Sequence, residues 1–317
     1  MSWSKRILGH IYLFLLISDE NSIFVRAKYF KNIEDKLGNM NIVILGAGKF
    51  GKAMGHVLAK RKPALVDIED GSYSDRSKRK ISEAELLIIC VPSQALKNCC
   101  KMIKPLLKNV KIISCIKALY EGMKTPTEII KEELGVNAGA LSGLNFAEEI
   151  MKDIPTRTTI AGPSWVKEVS KLFKTKHFHP HVYSDAVGLE FGSAAKNVLA
   201  LAVGIIEGKY GKNSLNMQGA LLAKGIEELS EVCKKCKNKK IPKLPFFADV
   251  FGSCKANSRN LEFGKALVEC KKCKTDTVEG LQTLKRIHNC AKTPLIKTLY
   301  EIVYKSKSIN LLENYLR

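Results

Sequence analysis

Two lysines stand in settings that would force chemistry on them. Lys196 lies in Ser184–Gly208, SDAVGLEFGSAAKNVLALAVGIIEG, which carries apolar residues on every side of a helix. A helix that is apolar all round is buried, so an ammonium within it needs a partner or sheds its proton. Burial lowers a lysine pKa, which is what a proton-transfer lysine requires. Glu190 and Asn197 interrupt the same apolar segment. The competing reading is a core helix whose lysine snorkels out to solvent. Lys117 follows Val110–Cys115, VKIISC, a predicted strand, just past the carboxyl end where open α/β sheets place their ligands.

A third feature is a phosphate cradle. The apolar run Met40–Leu45 leads straight into GAGKFG at 46–51, and Ala53, Met54, Val57 and Leu58 then follow with helical spacing. Strand, glycine turn and helix together are the context of a dinucleotide-binding loop. Gly46 permits the tight turn, Gly48 lets the backbone approach a pyrophosphate, and Gly51 lets the helix pack close to its strand. The expected cofactor is NAD or NADP, with a plain βα turn as the competing reading. Asp67 lies about twenty residues beyond the loop, where a ribose-binding carboxylate belongs. Glu69 and Asp70 compete for that role. Arg76, Lys78, Arg79 and Lys80 could instead hold a 2′-phosphate or simply form a solvated loop.

The elements needed to position these groups alternate between strand and helix. Met40–Leu45, Ala64–Ile68, Glu85–Val91 and Val110–Cys115 read as strands, with Ala95–Leu107 as a helix. A short element begins at Leu141, and Asn145, Phe146 and Ala147 open a helix running through Met151. Thr158–Ala161 and His181–Tyr183 read as edge strands flanking a helix at Ser164–Phe173. Beyond Ser184 only helical patterns follow: Met217–Cys236, Phe246–Ser253, Leu261–Val268, Thr277–Ala291 and Pro294–Val303. The expected fold is α/β, a Rossmann-type doubly wound nucleotide-binding domain over residues 40–183, followed by an all-α domain over 184–317. The cleft between them is where a site would form.

At 317 residues the chain has room for two cores, and its apolar fraction of 45% is that of a globular protein. The formal charge of +21 is high. Its lysines fall in short clusters without interleaved aromatic residues, which reads as a lysine-rich surface attracting anions rather than a nucleic-acid site. Residues 1–39 carry a short apolar run, Ile7–Ile17, behind Lys5 and Arg6. It is too short to span a bilayer, and the segment reads as a targeting piece or as sequence upstream of a true start at Met40. The rest looks cytoplasmic, with no further segment of transmembrane length. Ten cysteines without a secreted-scaffold spacing indicate a reducing compartment. Cys233 and Cys236, with Cys270 and Cys273, form two CxxC pairs, read either as exposed free thiols at helix ends or as a zinc site. No metal is assigned.

Seven stretches resemble, in order, the NAD(P)-dependent glycerol-3-phosphate dehydrogenase family, in its bacterial-like branch. They are GAGKFG, VPSQ at 91–94, SCIKAL at 114–119, LSGLNFAEE at 141–149, VGLEFGSAAKNVLALAVGI at 187–205, ADVFGSC with NSRNLEFG within 248–264, and VEG at 278–280. The resemblance implies hydride transfer between a nicotinamide and a small phosphorylated substrate, dihydroxyacetone phosphate or sn-glycerol 3-phosphate, feeding glycerophospholipid synthesis. It makes Lys196 the acid/base at the C2 oxygen, oriented by Asn197 and Asp249, with Lys117 polarising the carbonyl. It places substrate near Gly143, Asn145, Ser258, Arg259 and Asn260. Cofactor falls on Gly46, Gly48, Lys49, Phe50, Gly51, Lys117, Ala147, Arg259 and Glu279. A homodimer is a further implication. More ordinary roles compete: Asp249 as a helix cap, Arg259 in a surface ion pair, Glu279 as a first-turn carboxylate.

Departures from the family pattern are also visible. Leu144 stands where proline is usual, Asn145 where Ser or Thr is common, and Lys224 where arginine is usual. The regions after the glycine loop and between Phe263 and Glu279 are shortened. Competing functions are a related hydroxy-acid dehydrogenase and a cofactor-binding sensor without turnover.

Overall fold

The chain folds around a seven-stranded sheet in the computed structural model, which describes residues 40–69, 71–256, 258–269 and 278–317. The strands are β1 (Ile42–Leu45), β2 (Ala64–Val66), β3 (Leu86–Ile89), β4 (Lys111–Ser114), β5 (Gly139–Ser142), β6 (Thr156–Ala161) and β7 (Phe178–Tyr183). Their order is β2-β1-β3-β4-β5-β6-β7. The first five run parallel, β6 is antiparallel to β5, and β7 is parallel to β6. β1 and β3 are buried along their whole length, as expected of continuous apolar runs covered on both faces. The targeting segment falls on residues 1–39, outside the described residues, while Met40 itself is described and buried.

Two expectations for this half are corrected. β6 is not an edge strand, because it pairs with β5 on one side and β7 on the other. Its Thr156, Thr158 and Thr159 are buried, and that polar content imitates a solvated edge. The basic run Arg76–Lys80 is not a loop. Ser74 caps a helix, Asp75–Ser82, accepting from the Ser77 N–H, and Ile81 is its one buried residue. A single apolar contact leaves almost no periodic signal.

Numbered along the chain, the helices of this half are α1 (Lys49–Val57), α2 (Asp75–Ser82), α3 (Leu96–Ile103), α4 (Pro126–Leu134), α5 (Ala147–Met151) and α6 (Val166–Val169). After β7 every described element is helical. The central one, α7, spans Ala186–Tyr210, capped by the Asp185 carboxylate, which accepts from the Gly188 N–H at 3.2 Å. It runs past Gly204 and Gly208, and residues 188–207 are buried without a break. The helix is long and apolar enough to cross a membrane, but 94% of its most apolar window is covered by protein. It is a core helix.

Packed on α7 are α8 (Leu215–Lys237), α9 (Lys243–Lys255), α10 (Arg259–Val268) and α11 (Glu279–Cys290); α12 (Pro294–Lys305) and α13 (Leu311–Leu316) close the fold. At the α7–α10 crossing, a Cβ on Gly204 would lie 2.1 Å from the Leu261 carbonyl oxygen. The backbones therefore touch, which sets the position of the first turn of α10.

The cysteines also depart from expectation. Cys236 is bonded to Cys290, joining the ends of α8 and α11 across Cα atoms 6.3 Å apart. Cys233, one turn earlier, is a buried free thiol. Neither is an exposed free thiol, and Cys236 has no thiolate left for zinc. Cys270 and Cys273 lie outside the described residues.

Candidate active site

Asp249 lies within α9, away from both ends, with its side chain only 3% exposed. An isolated carboxylate there would be costly. It is held by two lysines from distant parts of the chain. Lys117 Nζ donates to Asp249 Oδ2 at 2.8 Å and to the Gly143 carbonyl oxygen at 2.6 Å. Lys196 Nζ lies 3.3 Å from Asp249 Oδ1 and also donates to Ser253 Oγ. The Lys196 side chain is 11% exposed, so it does not snorkel. Lys117 keeps 23% exposure and faces the groove described below. Burial pushes the Lys117 pKa below the usual lysine value; Asp249 opposes the shift and the neighbouring Lys196 charge adds to it.

Each group is positioned by ordinary local structure. Lys117 follows the end of β4, where Ser114 Oγ accepts from the Ile116 N–H. Asp249 and Ser253 are four residues apart on α9 and share a face. Asn197, beside Lys196 in sequence, points elsewhere: its Oδ1 accepts from Asn260 Nδ2 at 3.0 Å and its Nδ2 donates to Glu279 Oε2 at 3.4 Å. Asn260 Oδ1 in turn accepts from the Gly280 N–H at 2.8 Å. These amides lock the starts of α10 and α11 to α7. Ser258 caps α10, accepting from the Leu261 N–H, and donates to the Ser253 carbonyl. Glu279 opens α11, where the helix dipole favours a carboxylate, and also lines the groove.

A groove of about 970 Å³ runs from the glycine loop to Lys117. Gly46, Gly48, Lys49, Phe50, Lys117, Asn145, Arg259 and Glu279 line it. Gly51, in the first turn of α1, and Ala147, at the start of α5, are not part of the lining. Gly46 has φ +102°, a left-handed conformation that suits glycine. A Cβ on Gly51 would come 1.9 Å from the Gly46 carbonyl oxygen. The loop thus presents bare backbone at the N-terminus of α1, a cradle for a pyrophosphate. Asn145 is buried; its Nδ2 donates to Thr158 Oγ1 at 2.9 Å, while its Oδ1 has no hydrogen-bond partner. The cradle fits the pyrophosphate of a dinucleotide. The Cys115 thiol is held protonated, its pKa raised by hydrogen bonding to Cys90 and by burial.

Comparison with known proteins decides the family. Residues 72–168 match the profile described as NAD-dependent glycerol-3-phosphate dehydrogenase N-terminus, and residues 185–313 match the corresponding C-terminus profile. A protein named glycerol-3-phosphate dehydrogenase [NAD(P)+] from Fusobacterium nucleatum is 32% identical over 270 residues, 78% of this chain and 79% of that protein. The chain belongs to the NAD-dependent glycerol-3-phosphate dehydrogenase family. A namesake from Thermotoga sp. strain RQ2 is 28% identical over 84% of this chain and 94% of its own length.

Solved structures share the fold. That of glycerol-3-phosphate dehydrogenase from Coxiella burnetii aligns with a TM-score of 0.75 at 24% identity, over 88% of this chain and 99% of that one. The Plasmodium falciparum enzyme aligns at 0.78 and 22%, over 89% and 97%. A ketopantoate reductase from Ralstonia eutropha aligns more loosely, at 0.54 and 14%, over 88% and 100%.

As a family member the chain is an NAD(P)-dependent oxidoreductase, and its departures acquire physical readings. Leu144 packs against Gly252 of α9, where a Cβ would fall 2.0 Å from Leu144 Cδ1. The larger side chain fits because α9 has a glycine opposite. Lys224 donates to the Tyr315 carbonyl and lies over that ring, making no contact with Asp249. Ser253 escaped the sequence reading. The clue was its i, i+4 spacing from Asp249, usable only once the Asp249 face was known to be buried.

Proposed function

We propose that the chain interconverts dihydroxyacetone phosphate and sn-glycerol 3-phosphate in the cytoplasm, as a source of backbone for glycerophospholipids. The observation carrying this reading is the Asp249 carboxylate shared by Lys196 and by Lys117, the lysine that lines the groove. Ketone reduction needs a proton donor where a hydride arrives, and a second cation to offset developing alkoxide charge. Nicotinamide, when bound, supplies or accepts the hydride.

In the reducing direction Lys196 donates a proton to the substrate C2 oxygen, and in the oxidising direction its neutral amine takes the hydroxyl proton. Lys117 contributes its positive end to the same oxygen, polarising the carbonyl or offsetting developing alkoxide charge. Asp249 keeps both Nζ atoms converged, and Ser253 holds Lys196 from the far side. Arg259, exposed on the groove wall, offers a planar fork for a phosphate. Asn197 and Asn260 act indirectly, fixing Glu279 and the α10 start.

The test follows absorbance at 340 nm with the full chain, dihydroxyacetone phosphate and either reduced cofactor, comparing wild type with Lys196→Ala. Cofactor oxidation by wild type alone supports the reading. Absence of oxidation in folded wild type, with both cofactors, overturns it.

A further inference from the structure

We propose that the chain carries a second anion site, for a small polyphosphate, in the hollow between the end of α1 and the start of β7. The hollow has a volume of about 340 Å³, and its lining shares no residue with the cofactor groove. Lys49 at the groove and His56 at the hollow stand at opposite ends of α1, about 10 Å apart along its axis. Two segments supply the cations. Lys60 and Arg61 come from the turn that follows α1, and Lys171, Lys174 and Lys176 from the run entering β7. His56 and His177 share the wall with them. Asp153 is the single carboxylate on that wall, and it is already bonded to the His56 ring at 2.8 Å. The site does not depend on the substrate assigned to the groove.

The lysine-bearing run is a closed turn. Thr175 Oγ1 accepts from the His177 N–H at 3.1 Å and the Phe178 N–H at 2.9 Å, and the Thr175 N–H donates to the Phe178 carbonyl at 3.0 Å. Lys174 and Lys176 flank that pinned threonine. Among the described residues, Lys60, Arg61, Lys174 and Lys176 form no ion pair. The dipole at a helix end accounts for a cation or two after α1. It does not account for five gathered round one hollow, where their mutual repulsion is relieved by a bound anion. A concave wall of one sign also focuses the field and concentrates anions within it. The same lining includes the buried apolar residues Leu58, Leu172 and Phe178. Its volume is that of a small-molecule site rather than of an extended surface for a duplex or a bilayer. An excess of cations arriving from two sides matches a compact ligand with more than one phosphate.

The test is isothermal titration calorimetry with sodium tripolyphosphate at fixed ionic strength, on the full chain with its cofactor groove saturated by NADH. Two variants strip the hollow: Lys174→Gln combined with Lys176→Gln, and Arg61→Gln. A control, Lys297→Gln combined with Lys305→Gln, removes two exposed charges from α12. Circular dichroism confirms folding. Wild type should bind tripolyphosphate saturably, and inorganic phosphate roughly tenfold more weakly or worse. Each hollow variant should lose roughly tenfold or more in affinity for tripolyphosphate, the scale of one hydrogen bond between charged groups. The control should bind as wild type does. Absence of saturable binding in wild type overturns the proposal without reference to any variant. So does an affinity unchanged in either folded hollow variant, or a loss in the control equal to theirs. A short DNA duplex or phosphatidylglycerol vesicles bound more tightly than tripolyphosphate, and released by the same substitutions, would assign the patch to an extended polyanion and overturn it as well.

Discussion

In an inner cluster reached through the groove-lining Lys117 one buried carboxylate holds two lysines, while at the outer end of the groove one exposed carboxylate is held by two backbone N–H groups. The inner cluster joins β4, α7 and α9, with Lys117 and Asp249 separated by 132 residues. The outer one joins Asp67 to the glycine loop over 20 residues. Charge at the inner end is thus tied to the packing of the whole molecule, and charge at the outer end to one local turn. Substitutions inside should alter chemistry and stability together. Those outside should alter cofactor affinity and little else.

Lys196→Ala sharpens this contrast most. Its kcat should fall roughly 10²- to 10⁴-fold, the range of general acid–base catalysis, while NADH affinity stays near wild type by fluorescence titration. Asp249→Ala leaves two lysines facing each other with no counter-charge. Urea denaturation should show about 3–5 kcal/mol of lost stability, as for a broken buried ion pair. The contrast breaks if Asp67→Ala costs as much.

Gly51→Ala should destabilise by about 1–3 kcal/mol, the usual cost of overpacking, and weaken NADH binding, because the new Cβ meets the Gly46 oxygen. Ser253→Ala removes one partner of Lys196, and kcat should fall roughly tenfold, as expected for a lost hydrogen bond to a charged group. Stopped-flow turnover under saturating cofactor would measure it.

A pH test reaches the tie between the two halves. Glu190 on α7 accepts from the Thr127 N–H and hydroxyl at the start of α4, and burial raises its pKa from 4.5 to about 8. The folded protein keeps a proton that the unfolded chain releases across that window. The stabilisation is complete below about 4.5 and fades as pH climbs towards 8. Relative to Glu190→Gln, wild type should lose up to about 1.4 kcal/mol per pH unit between pH 5 and 7. Paired denaturation curves across that range would show parallel stabilities if the carboxyl were ionised in the fold throughout.

How much was legible depended on how local each signal was. The glycine loop with β1 and α1, the buried strands β3 and β4, and the Asp185-capped helix α7 all follow from patterns within a single segment. α2 escaped because only Ile81 is buried. β6 was misread because its threonines are internal but polar. The Cys236–Cys290 bond spans 54 residues, and the nearer Cys233 drew attention to a CxxC reading, free thiols or zinc, in which Cys290 has no place. The resemblance made Asn197 a partner of Lys196, yet neighbours in a helix point about 100° apart, and its amide joins Asn260 and Glu279 instead.

By itself, then, the sequence determined the phosphate cradle, the parallel strands around it, and the burial of a lysine within an apolar helix. Each is a matter of backbone freedom or hydrophobic period inside one stretch of chain. Only the tertiary structure decided what that lysine faces. A buried charge is stable where an opposite charge and hydrogen-bond partners converge on it. Here Asp249, Ser253 and Lys117 arrive from other elements, brought there by the packing of α9 on α7 and by the end of β4.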